Sequence, residues 1–177
     1  MVDHQDFKFG YSVVWMPLIF VLLLWIVFWA EVKFGVRFSD WGIYPRTTQG
    51  LRGILCSPFL HGDIKHLYHN SLPLLVLLPA LRYFYREVSI YVLLGGILLS
   101  GFLTWAIGRP SYHIGASGLI YVLVSFIFFK GIYTRYYRFV ALSLFVISVY
   151  GGLIWYVFPG IEQHISWEAH LAGFITG

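Results

Sequence analysis

Long apolar runs broken by short polar turns organise this chain. The first runs from about Tyr11 to Ala30, long enough at 1.5 Å per residue to cross about 30 Å of hydrocarbon. Trp15, Trp25 and Trp29 stand near its ends, where amphipathic rings favour the headgroup region. Residues 31–65 are too apolar for a free loop and too rich in Gly and Pro for a span. They predict a structured loop of short helices lying partly in the interface. A second span is predicted from Lys65–Leu67 to about Leu81, crossing Pro73 and Pro79, and a third from Ile90 to Ile107. The fourth begins at Ser117 and is expected to end at Phe129. Thirteen residues cover only about 20 Å, which would set its N-terminal end below the membrane surface. A fifth span covers about Phe139 to Phe158, and a last helix starts near Ser166. The pattern reads as all-α: a polytopic bundle of six transmembrane helices with the last one truncated. Residues 1–10 form a polar N-terminal segment, and 11–177 a membrane domain expected to be incomplete at its C-terminus.

Composition agrees with that picture. The 177 residues are 59% hydrophobic and 11% charged, with a mean hydropathy of +0.74; soluble domains carry about 25% charged residues. The net charge of +4 is spread between apolar runs, which fits membrane topology and not nucleic-acid binding. Arg82 and Arg86 in one short turn, and Lys130, Arg135 and Arg138 in another, favour the cytoplasm for those turns, while Lys33, Arg37, Arg46, Arg52, Lys65 and Arg109 on the opposite side nearly balance them in number. A single cysteine, Cys56, excludes an intrachain disulfide and any CxxC site. The first apolar run is too long for a cleavable signal and lacks a small-residue cleavage pattern.

Ionisable groups within spans are costly and point to function. Here they gather in three places. His66 and Asn70, four apart, share one helix face after His61. Ser117 lies in Gly115-Ala116-Ser117-Gly118 at the start of an apolar helix, with Tyr121 four residues on. A small-residue cluster of this kind also serves plain helix packing. At a helix N-terminus, however, a serine hydroxyl feels the positive end of the dipole and lies beside free backbone N–H donors. Third, His170 lies in a helix whose Gly173 and Gly177 fall on its own side, a face that permits close packing. A serine needs a base to become a nucleophile, and His170 is the best-placed candidate. Glu168 falls on another face, so a Ser–His dyad is expected in place of a triad, with Tyr121 stacking as an alternative means of orienting the imidazole. His66, Asn70 and the Ser117 N–H could supply an oxyanion hole. His61 is expected to satisfy loop backbone, and a direct catalytic role is the lesser reading. His69 and His164 read as interface residues, and His113 as a secondary candidate for touching substrate.

Together His61…His66-x-x-x-Asn70, Gly115-x-Ser117-Gly118 with Tyr121, and Ala169-His170-x-x-Gly173-x-x-x-Gly177 resemble the rhomboid family of intramembrane serine proteases. The resemblance covers residue 11 to the end. It implies Ser117 as nucleophile, His170 as base, His66 and Asn70 as oxyanion donors, and Tyr121 against His170. It also implies cleavage of transmembrane protein substrates in the lipid bilayer, without metal or cofactor, here in a bacterial inner membrane. Many members carry a Trp-Arg pair in the first loop, where this chain has Leu51-Arg52.

Two other classes compete. The cluster His61, His66, His69 suggests a membrane metalloenzyme, but His-His boxes and His-Glu-x-x-His are absent; chelator-insensitive activity would separate the two. A rhomboid-like protein that binds transmembrane helices without cutting them is the non-enzymatic alternative. Its expected mark, loss of the serine or the histidine, is missing here.

Overall fold

A computed structural model describes residues 9–160 and 165–177; His164 and most of the polar N-terminal segment lie outside them. Among the described residues the regular structure is helical, with one isolated β-bridge and no named strand. There are seven α-helices among the described residues: α1 (Ser12–Phe34), α2 (Gly53–Cys56), α3 (Ile64–Phe84), α4 (Ser89–Ile107), α5 (Ser117–Thr134), α6 (Tyr137–Tyr150) and α7 (Trp167–Thr176). Of these, α2 is a single turn inside the first loop. Four elements among the described residues are long and apolar enough to cross a membrane: α1, α4, α5, and α6 with the 3-10 stretch that follows it. The helix α3, at 21 residues, has the length, but its His, Lys and Asn residues lower its hydropathy.

Helix ends follow local chemistry more than hydropathy. The first helix runs past Ala30 to Phe34, where Gly35 caps it at φ 62°, a left-handed conformation open to glycine. Asp63 starts α3 by accepting a hydrogen bond from the His66 N–H at 2.8 Å. The expected end of the fourth span at Phe129 is corrected, because α5 continues to Thr134 and stops where Arg135 turns left-handed at φ 55°. Lys130 is tolerated because the backbone ladder, not the side chain, propagates a helix. Its 18 residues reach about 27 Å, so shortness no longer argues that Ser117 sits below the surface. The fifth span is present over Tyr137–Val157, but its helix changes type on the way: α6 ends at Tyr150, and Gly151-Gly152 opens a 3-10 stretch through Val157.

The bundle is built around α5, which packs against α3, α4, α6 and α7. Leu67, Leu74, Leu77, Leu78 and Leu81 of α3 meet Leu119, Ile120, Leu123 and Ile127 of α5 in one core. The first loop is indeed structured by short helical turns. It docks on the end of α4: Trp105 Nε1 donates to the Thr47 carbonyl at 2.8 Å, and Arg46 Nη1 to the Gly108 carbonyl at 2.9 Å. Arg52, of the Leu51-Arg52 pair, lies over the Trp41 ring and donates to the Asp40 carbonyl. The bridge between Ile43 and His113 ties this loop to the one before α5.

Candidate active site

Ser117 is the first residue of α5 and half-buried. Its N–H therefore precedes the helical ladder and is free to donate. The chain approaches through Gly115, whose φ of +107° is one that L side chains rarely adopt. Gly115 also faces the two predicted oxyanion donors. A Cβ built there would lie 2.5 Å from His66 Nε2 and 3.3 Å from Asn70 Nδ2. The fold thus brings His66 and Asn70 of α3 onto the backbone two residues ahead of Ser117.

His61 joins them in a way the sequence did not show. Asn70 Nδ2 lies 2.9 Å from His61 Nε2; an amide N–H donates there, so the imidazole carries its own proton on Nδ1. His61 is 3% exposed, and burial, with the neighbouring His66, lowers its pKa to about 4. A ring kept neutral can accept from Asn70 and orient its amide. His61 also interacts with the Phe59 backbone of the first loop, so the expected loop role stands beside this side-chain pairing. The His61 and His66 rings meet edge to face at 5.0 Å, whereas His69 is exposed.

On the other side, α7 packs into α5 through its small residues. Gly173 lies against the Gly118 carbonyl and leaves 2.9 Å between an added Cβ and Tyr121 Cβ. Gly177 lies against Val122 and Ser125. His170 is 7% exposed and stacks on Tyr121, ring centroids 4.4 Å apart and planes 16° from parallel. Helical side chains lean toward the N-terminus, so the stack sits over the turn that carries Ser117. His170 Nδ1 donates to the Tyr156 carbonyl at 3.0 Å, because a carbonyl can only accept. The lone pair then resides on Nε2. Tyr121 is held in turn by its hydroxyl, which donates to the Leu153 carbonyl at 2.7 Å. Both carbonyls come from the 3-10 stretch after Gly151-Gly152. The last turn of a helix leaves carbonyls outside its own ladder, so the Pro159-Gly160 stop that follows was the available signal for the Tyr156 support.

Ser117 Oγ makes no hydrogen bond to His170 among the described residues. No three His, Cys, Asp or Glu side chains converge as a metal-binding set among those residues. His113 belongs to the polar turn. It is 3% exposed, its Nε2 donates to the Arg109 carbonyl at 3.1 Å, and its Nδ1 pairs with Ser166 Oγ. It holds the loop together.

The Rhomboid domain family model matches residues 48–177, most of the chain. The chain belongs to the rhomboid family. This rhomboid is similar to uncharacterized proteins of Mycobacterium bovis and Mycobacterium tuberculosis, each 36% identical over 173 residues, covering 90% of this chain and 70% of theirs. An uncharacterized protein of Mycobacterium leprae is 32% identical over 170 residues, covering 90% and 66%. The rhomboid fold and several apolar helices make it a multi-pass membrane protein.

Proposed function

We propose that this rhomboid is an intramembrane serine endopeptidase that cleaves transmembrane proteins with Ser117 and His170. Supporting this most directly is the His170 imidazole: stacked on Tyr121, its Nδ1–H committed to Tyr156, its Nε2 free as a base. Nε2 takes the Ser117 proton as Oγ attacks the scissile carbonyl. The resulting oxyanion is met by the Ser117 N–H and by His66 and Asn70, whose side chains converge on Gly115. Collapse expels the amine, which takes the proton from His170, and leaves an ester on Ser117. Water, deprotonated by the same Nε2, then hydrolyses the ester. The chemistry uses no cofactor. In this reading α1, α3, α4, α5 and α6 with its 3-10 extension cross a bacterial inner membrane, and α7, ten residues long, packs with them as the sixth helix of one unit over 11–177.

The absence of a Ser117–His170 hydrogen bond favours one second reading, a rhomboid that binds transmembrane helices without cutting them. Catalytic hydrogen bonds often tighten only with substrate bound, so the two diverge in experiment. Ser117→Ala should abolish both fluorophosphonate labelling and cleavage of a transmembrane reporter, with detergent behaviour unchanged. Equal labelling of the Ser117→Ala and parent proteins would remove the serine-protease reading.

A further inference from the structure

Ser117 and His170 belong to different helices, so their alignment depends on what joins the loop before α5 to the start of α7. Small residues let α5 and α7 touch, but a smooth face alone does not set how far one helix slides along the other. The register is set above the site by polar groups. Glu168, in the first turn of α7, accepts the Arg109 backbone N–H at 3.1 Å, and the Arg109 Nε lies 3.7 Å from the same oxygen. The Arg109 guanidinium also donates to the Ile165 carbonyl at 2.7 Å. Ser166, the residue that caps α7, accepts from the Ala169 N–H and gives its hydroxyl proton to His113 Nδ1. His113 closes the set by donating from Nε2 to the Arg109 carbonyl.

Each segment therefore contributes two groups to one cross-linked cluster. The loop is anchored in turn: His113 exchanges both backbone hydrogen bonds with Ile43, and the Gly115 N–H donates to the Ser57 carbonyl at 2.8 Å. Position therefore passes from Glu168 through Arg109 and His113 to Gly115, two residues from Ser117. Such a cluster is costly. Glu168 is 2% exposed and its Oε2 has no hydrogen-bond partner among the described residues, and burying a carboxylate is often no better for stability than an apolar residue. A negative charge at a helix N-terminus recovers part of that cost. Directional bonds constrain geometry in a way that apolar packing does not.

Resting on the protease reading above, we propose that Glu168 and Arg109 are positioning residues: they lock the α4–α5 loop onto the N-terminus of α7 and so hold His170 in register with Ser117. Glu168 reaches the site through its bond to the Arg109 backbone, while the His170 imidazole bonds to Tyr156.

The test is the kinetics of Ser117 labelling by a fluorophosphonate in detergent, with the saturable rate and the reagent's half-saturation measured well below each variant's unfolding midpoint. Glu168→Ala should lower the maximal labelling rate about 10- to 100-fold, the scale of an ångström-level misplacement, with half-saturation unchanged. Glu168→Gln keeps an acceptor for the Arg109 N–H and should recover much of that loss. Arg109→Ala, at a more exposed position, covers the case in which Glu168→Ala does not fold, and it should also slow labelling. A lower midpoint with the parent's maximal rate in Arg109→Ala, and in Glu168→Ala where it folds, would mean that the cluster only stabilises the fold, and the positioning role would be wrong. Ser117→Ala runs in parallel. Parent protein that labels no better than Ser117→Ala removes the nucleophile and the clamp's purpose together. Parent protein that labels at Ser117, with clamp variants equal to it, removes the clamp alone.

Discussion

Gly115→Ala tests the site with one methyl group. The added Cβ would fall 2.5 Å from His66 Nε2, 2.7 Å from His66 Cε1 and 3.3 Å from Asn70 Nδ2. Ordinary carbon contacts begin near 3.5 Å, so the His66 ring must retreat by roughly 1 Å. A misplacement of that size costs about 100-fold in rate, and loss of one oxyanion donor costs about 100- to 1,000-fold. The two estimates describe the same event and are not summed. A second cost is conformational: φ of +107° forces a side chain into a region worth about 1–3 kcal/mol of strain. Gly115→Ala should therefore label with fluorophosphonate at about 1% of the parent rate or less, while its stability falls by only about 1–3 kcal/mol. Gly95→Ala is the control, because a Cβ there meets nothing within 4 Å. That variant should keep the parent rate and gain up to about 1 kcal/mol from helix propensity. Labelling at the parent rate in Gly115→Ala would refute the placement of His66 and Asn70 at the oxyanion.

Three further outcomes are expected. Gly173→Ala presses a methyl onto the Gly118 carbonyl and to 2.9 Å from Tyr121 Cβ; overpacking of this kind costs about 1–3 kcal/mol, and both the unfolding midpoint and Ser117 labelling should fall. Asn70→Ala should lower kcat by up to about 100-fold with little change in KM, and should destabilise the fold as well, since His61 Nε2 loses its partner; a raised KM with unchanged kcat would assign Asn70 to substrate binding instead. Burial lowers the pKa of His61, to about 4, and of His113, so the folded chain resists protons that the unfolded chain accepts below about 6.5. Stability should then be flat above about pH 7 and fall as pH drops from 6.5 toward 4, His61 contributing up to about 3 kcal/mol of that loss. His61→Gln should flatten the midpoint-versus-pH curve over that window, and an unchanged curve would show that His61 does not carry it.

Much of this protein was legible in one dimension because membranes and helices impose short-range rules. Apolar runs of about 20 residues must be helical in lipid, which located α1, α3, α4, α5 and α6 before any contact was known. Spacings of three, four and seven placed His66 with Asn70, Ser117 with Tyr121, and Gly173 and Gly177 with His170, since the helix itself fixes those faces. Where α5 ends was not legible, because Lys130 lowers hydropathy without breaking a backbone ladder that runs on to Arg135. Tertiary structure alone decided the support of the site. Tyr156 and Leu153 act through carbonyls, which every residue possesses, and only packing carries the 3-10 stretch after α6 to His170 and Tyr121. His61 looked like any loop histidine until α3 brought Asn70 within 2.9 Å. His113 and Glu168, more than 50 residues apart, meet through Arg109 and Ser166. Hydrogen bonds between distant segments leave no periodic trace in a sequence, so only packing could show which polar residues hold the two halves of the site together.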